Sequence, residues 1–392
     1  MANMLDYLAW RGDLTFAERP FNEVDNLILS ELAYLKLGRV GPKAGDGQIV
    51  LLRDLWPLCE KDEIAQYTPT NDPRLALRAA AQTARFGGIG VSDSVDELDL
   101  EKQVQFAAVT FHLGDGSVYV GFRGTDSTLI GWREDFNTTY LSETPGQAMA
   151  VQYLEAAAER CRGLLRVGGH SKGGNLAVYA SAFAPESVRY RIREVYSNDG
   201  PGFNSKVTET MEYQTILDKV ILFMPETSMV GILLNNKDEK NIIRSDASGH
   251  RQHNPYTWQV RGTAFERAQK QTTTSTFLDG ATDQLAESMT DSQKEAVISS
   301  VFNALIASGV TTVQELKEKP QALLNLAKSM LGSDDNLKET GLGLLKLLQA
   351  GGSAAIGGTK RAVQEKLSEF RTQIREETPQ HVEEKDEHDS DA

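Results

Sequence analysis

The sequence predicts an α/β protein: a mainly parallel sheet with helices on both faces, followed by a helical C-terminal region. Three observations carry that prediction. From about residue 74 to residue 244, short apolar runs alternate with segments of helical period, the pattern of strand–helix–strand units. One run, Leu164 to Val167, passes through Gly169-His170-Ser171-Lys172-Gly173 straight into a helix-compatible segment that lasts to Pro185. From about residue 263 the texture turns polar and threonine-rich, then helical.

In chain order, Val24, Leu27, Ile28, Leu32 and Leu35 are apolar at spacings of three and four, one face of a helix, and Phe21 to Asn26 supply capping-type residues before it. A second helix is expected over 74–86, stopped by Gly87-Gly88. Val104 to Leu113 and Ser117 to Phe122 read as strands joined through Gly114-Asp115-Gly116, a hairpin signal. Helical period over 146–162 leads into the run before Ser171, and Glu194–Ser197, Val220–Met224 and Asn241–Arg244 are further short strands. Gln269 to Ser275 reads as a linker, with helical segments expected over 283–307, 313–332 and 337–350. The expected division is therefore a catalytic-type domain over 1–262, a helical region over 263–375 and a disordered acidic tail over 376–392.

Composition bounds the function. Of 392 residues, 40% are hydrophobic and 24% charged, as in globular proteins. The formal net charge of −14 argues against nucleic-acid binding, which needs a basic surface. Half of that charge, −7, sits in the tail after Arg375, where eight acidic residues meet one lysine. So acidic a segment cannot bury a core. There is no apolar run of about eighteen residues and no signal-peptide order at Met1 to Tyr7, and Cys59 and Cys161 suggest neither a disulfide framework nor a metal site. The expected compartment is the cytoplasm.

The stretch around Ser171 has the strand–turn–helix context of a nucleophile elbow, the hallmark of the α/β-hydrolase fold. Gly169 and Gly173 remove the side chains that would clash two residues either side of the serine. A serine hydroxyl needs a base within hydrogen-bond reach. In this fold the chain order is serine, acid, histidine, which excludes His112. His170 abuts the serine and is expected to point away from it. His381 and His388 lie in the tail. His250 and His253 follow the last strand; His253, in Gln252-His253-Asn254-Pro255-Tyr256-Thr257-Trp258, is the better placed. Two acids follow strands between serine and histidine: Asp199, in Asn198-Asp199-Gly200-Pro201-Gly202, and Glu226, in Met224-Pro225-Glu226-Thr227. Spacing leaves both open. The oxyanion would be held by the Lys172 N–H and by Thr125, in Phe122-Arg123-Gly124-Thr125-Asp126.

These residues resemble known proteins. Phe122-Arg123-Gly124-Thr125-Asp126, followed by Trp132 and Asp135, is similar to the oxyanion loop of fungal-type (class 3) lipases, and Gly169 to Gly173 matches their elbow, with Lys172 where a smaller or apolar residue is usual. The sequence more closely resembles the bacterial Mbeg-like, lipase-like family over residues 1 to about 262. Asp6 to Asp13, Phe21 to Asp25, Gly131 to Phe136, Gly169 to Ala177 and Asn198 to Phe203 carry that likeness. The resemblance implies Thr125 as an oxyanion residue, Ser171 as nucleophile and His253 as base. It implies an acid after Val220–Met224, where this chain has Glu226, with Asp199 as the rival. The expected activity is hydrolysis of carboxylic esters of lipids or smaller molecules, with no cofactor and no metal. A thioesterase, amidase or peptidase, or a non-catalytic binding protein, would use the same scaffold.

Overall fold

The computed structural model describes residues 1–61, 73–99, 101, 104–126, 128–228, 230–231, 234, 240–271, 290–312 and 315. The expected helices over 313–332 and 337–350, most of the 269–275 linker and the acidic tail lie outside the described residues. Eight strands form one sheet in sequential order: β1 (Val50–Leu51), β2 (Gly90–Asp99), β3 (Val104–His112), β4 (Val118–Phe122), β5 (Leu165–His170), β6 (Ile192–Asn198), β7 (Val220–Pro225) and β8 (Lys240–Ile243). The pairings β4–β5, β5–β6, β6–β7 and β7–β8 are parallel, and the three that join β1 to β4 are antiparallel. A two-stranded hairpin, β9 (Val260–Arg261) with β10 (Ala264–Phe265), follows.

The helices are α1 (Met4–Arg11), α2 (Glu23–Leu32), α3 (Leu52–Lys61), α4 (Pro73–Ala81), α5 (Leu129–Asn137), α6 (Pro145–Arg160), α7 (Lys172–Phe183), α8 (Glu186–Arg189), α9 (Ser205–Thr208), α10 (Met211–Ile216) and α11 (Asp291–Ala307). They begin where local chemistry starts them. Asn22 with Asp25, and Thr144 with Gln147, form capping boxes, and Pro145 opens α6 with its φ already helical. Helices α1 to α4 cover one face of the sheet through Leu8, Leu27, Ile28, Leu55 and Leu77, in one core with Phe111 and Tyr119. Helices α6, α7 and α10 cover the other through Leu154, Leu176 and Tyr213 against Phe106, Phe122 and Val167. This three-layer sandwich, with an elbow at the end of a parallel strand, is an α/β-hydrolase fold.

Helix α2 is buried on every side, so its polar residues need partners. Asp25 takes Arg85 at 2.6 Å and the Tyr7 hydroxyl at 2.8 Å. Asn26 and Ser30 reach into the sheet. The Asn26 amide donates to Asn198 Oδ1 at 2.9 Å, and the Asn198 amide donates to Ser30 Oγ at 3.1 Å and to the Gly169 carbonyl at 3.0 Å.

Strand β2 was not anticipated, because its second half, Asp96 to Asp99, is acidic. There Asp96 accepts from Arg123 at 2.8 Å and Lys36 at 3.1 Å, so charge pairing replaces apolar alternation. The hairpin spans residue 262, and its second strand packs on the core through Phe265, edge-on to Trp258 and Phe223. Helix α11 lies against α5, burying Val297, Val301, Phe302 and Leu305 around Leu129. Arg133 donates to Asn303 at 2.9 Å and Ser299 at 3.2 Å along the same contact. Among the described residues, no helix is long and apolar enough to cross a membrane.

Candidate active site

Ser171 stands between the last residue of β5 and the first of α7, with φ 57° and ψ −134°. A non-glycine residue there is strained by about 1–3 kcal/mol and persists only where the surroundings enforce it. The enforcement is steric and local. A Cβ on Gly169 would overlap the Gly173 carbonyl, and one on Gly173 would overlap the Phe122 carbonyl. The Ser171 N–H donates to the Asn198 carbonyl at 2.9 Å, and the Ser171 carbonyl accepts the Gly174 N–H at 2.8 Å.

His253 arrives from a short 3-10 turn after β8. Its Nδ1 lies 2.6 Å from Asp199 Oδ2. A carboxylate on Nδ1 makes that nitrogen the proton-bearing one and leaves Nε2 as acceptor, the form a general base needs. Asp199 is fully buried, and its other oxygen accepts the Ser228 hydroxyl. Its backbone has φ 51° and its N–H donates to the Phe223 carbonyl at 2.8 Å, so the turn after β6 aims the side chain across the ends of the strands. Of the two candidate acids, Asp199 meets His253. The Glu226 N–H donates to the Ile243 carbonyl at 3.1 Å, extending the β7–β8 pairing. His250 falls in the same 3-10 turn as His253.

His170 packs against His253. It is buried, its ring centroid lies 4.5 Å from that of His253, and its Nε2 lies 2.8 Å from the His253 carbonyl. A carbonyl only accepts, so Nε2 carries the proton and Nδ1 accepts the Tyr34 hydroxyl at 3.0 Å. Burial, then the neighbouring His253, holds its pKa well below the ordinary value, so it stays a neutral brace for the His253 backbone. Tyr34, Ser228 and this role of His170 left no signal in the sequence, because their partners come from distant segments.

The loop after β4 meets the elbow closely: a Cβ on Gly124 would lie 3.0 Å from Ser171 Cβ and would overlap the Tyr34 hydroxyl. The Thr125 hydroxyl donates to Asp135 Oδ2 at 2.6 Å, which turns it toward α5. Burial raises the Asp135 pKa to about 7, although Lys172 nearby pulls it down. The amide of Asn175, on the helix behind the serine, donates to the Pro201 and Gly202 carbonyls at 3.2 and 2.9 Å, tying the Asp199 turn to α7. Among the described residues, no group of three metal-ligating side chains comes together.

Fold and site together define a chain of the α/β-hydrolase class, with a serine, a histidine and a carboxylate at the carboxyl end of a parallel sheet. The family model described as Mbeg1-like matches residues 80–303, and the chain belongs to the Mbeg1-like family. A solved structure, the crystal structure of M37 lipase, is similar with a TM-score of 0.35 and 14% identity over 53% of this chain and 69% of that chain. No curated protein matches the sequence.

Proposed function

We propose that this protein is a serine hydrolase that cleaves carboxylic esters, the acyl esters of lipids or of smaller molecules. The observation that carries the reading is the combination of a strained serine elbow with a histidine that packs on the elbow residue His170 and whose Nδ1 is held by a buried aspartate. In this reading Ser171 Oγ attacks the ester carbonyl while His253 Nε2 takes its proton. The negative oxygen of the tetrahedral intermediate is held by the N–H groups of Lys172 and Thr125, since the Thr125 hydroxyl is already given to Asp135. Collapse breaks the ester C–O bond, and the proton on His253 leaves with the alcohol. A water molecule, deprotonated by the same histidine, then releases the acid from Ser171. Asp199 stabilises the imidazolium in both halves.

The test is covalent labelling with a fluorophosphonate probe, run beside turnover of p-nitrophenyl esters of graded chain length. The expected result is labelling of wild type at Ser171, loss of label and turnover in a folded Ser171→Ala variant, and a preference among the esters. An unlabelled, inactive wild-type protein would overturn the reading.

A further inference from the structure

Beneath the elbow lies an ion pair that the proposed reaction does not use. Lys172 follows the serine directly, yet its side chain is 3% exposed and turns inward. Its Nζ donates to Glu134 Oε2 at 2.8 Å and to the Gln105 carbonyl at 2.9 Å. Glu134 is 1% exposed. Its Oε1 accepts the Gly146 N–H at 2.7 Å and its Oε2 the Gln105 N–H at 3.3 Å. One carboxylate thus joins α5, β3, the start of α6 and the first residue of α7.

Stability does not account for this arrangement. A cation on the first residue of a helix sits at the positive end of the helix dipole. A buried ion pair is often no more stabilising than apolar side chains of the same size. What the pair does achieve is geometric. The residue after Glu134 is Asp135, which takes the Thr125 hydroxyl at 2.6 Å, and the backbone of Gly124 is pressed against Ser171. Two N–H groups can share one oxyanion only if their separation is held fixed. One of them belongs to Lys172 itself, and the other belongs to the loop that α5 anchors.

We propose that the Lys172–Glu134 ion pair positions the oxyanion hole: through α5 it holds the Thr125 loop at the distance from the Lys172 N–H that one oxyanion requires. This rests on the serine-hydrolase reading above. The Lys172 side chain and Glu134 are positioning groups, since neither reaches the substrate. The charge of Lys172 has a second effect in the same direction, because it draws the Asp135 carboxyl toward the ionised form that accepts the Thr125 hydroxyl.

The test is Lys172→Met/Glu134→Gln, which replaces the pair with neutral side chains of similar size. The expected variant is folded, with ester kcat about 10²-fold below wild type and KM within about threefold, the signature of a lost transition-state interaction. A merely structural pair would move the melting temperature and leave kcat unchanged, so full kcat in the folded double variant overturns the proposal. If the double variant does not fold, Glu134→Gln decides, since its amide can keep an oxygen toward Lys172 only by turning its NH2 onto the Gly146 N–H, which breaks the join between α5, α6 and α7. A fall in its kcat of about tenfold supports the proposal, and an unchanged kcat overturns it. Wild-type protein inert to both esters and fluorophosphonate takes down the serine-hydrolase reading and this inference with it. An active wild type, an inactive Ser171→Ala and a full-rate double variant take down this inference alone.

Discussion

The molecule carries a serine, a histidine and an aspartate at each of two opposite ends of its sheet. At the elbow end, Asp199 holds His253, whose ring packs on His170, the residue before Ser171. At the other end, where His112 closes β3 opposite Val118, Ser92 Oγ lies 2.8 Å from His112 Nε2 and donates to Asp93 Oδ2 at 2.8 Å. The residue types are the same and the order of hydrogen bonds is different. In the second cluster the carboxylate is on the serine, so the hydroxyl proton is already given away, and the serine oxygen accepts from His112 Nε2–H. Asp93 then turns its other oxygen to Arg160 at 2.7 Å and the Gly45 N–H at 3.1 Å. Such a histidine is a donor to the serine, the reverse of a base. The strain also falls differently: positive φ is on both Ser171 and Asp199 at one end, and on the aspartate, Asp93, at a bulge in β2, at the other. Composition of a cluster therefore says little about its chemistry until donors and acceptors are assigned.

The comparison breaks most sharply at the two serines. Ser171→Ala is expected to lose at least about 10⁴-fold in ester kcat/KM, and His253→Ala to behave like it, while Ser92→Ala keeps wild-type turnover. Steady-state kinetics on folded variants checks this, and loss of activity in Ser92→Ala would reverse the assignment of the two ends.

The aspartates sharpen it next. Asp199→Asn should lower kcat by about 10⁴-fold, because the amide favours the wrong histidine tautomer. Asp93→Asn should leave kcat alone and cost about 1–3 kcal/mol of stability through its buried hydrogen bonds. Glu226→Gln should do neither. Kinetics beside thermal melts separates the three, and a normal rate in Asp199→Asn would return the role to Glu226.

The smallest effect is on pH dependence. Asp135 has a pKa raised by burial from 3.8 to about 7, so the folded chain keeps a proton that the unfolded chain releases. Its contribution to stability is complete below pH 3.8 and is lost as pH rises through about 7. His112 is lowered from 6.5 by burial, so its contribution is present above 6.5 and is lost as pH falls through its folded value. Asp135→Asn should flatten the decline of melting temperature between about pH 4 and 7, and His112→Asn the decline below about pH 6.5. Melting curves across that range read both, and unchanged slopes would place these groups in contact with solvent.

Much of this was legible in the sequence where the signal is local. The strand, glycines and helix around Ser171 are contiguous, and chain order, adjacency to the serine and the acidic tail together reduce six histidines to two. Which acid meets His253 is not legible, because Asp199 and Glu226 both follow strands and what separates them is a left-handed backbone angle and the reach of Ser228 from the next loop. Lys172 is unusual in the elbow, yet its partner Glu134 is 38 residues away and reads as an ordinary helix glutamate. Strand β2 was hidden by its own acids for the same reason: Lys36 and Arg123, which neutralise Asp96, come from elsewhere in the chain.

The buried amide network around Asn198 has a consequence for the time course of synthesis. Asn26 and Ser30 sit in α2, ahead of every strand of the sheet, but one of their hydrogen-bond partners, Asn198, lies 172 and 168 positions further on. Until β6 has been translated, the sheet meets them through Tyr119 of β4, whose hydroxyl lies 2.8 Å from Ser30 Oγ and 2.9 Å from Asn26 Oδ1, and the seating of α2 is incomplete. Contacts of such long range make assembly slow, since the chain between them must be drawn in before they form. The Asn198 bonds to α2 therefore form only when β6 arrives. Backbone amides of α2, β5 and β6 should then gain exchange protection together, as one cooperative unit, during refolding.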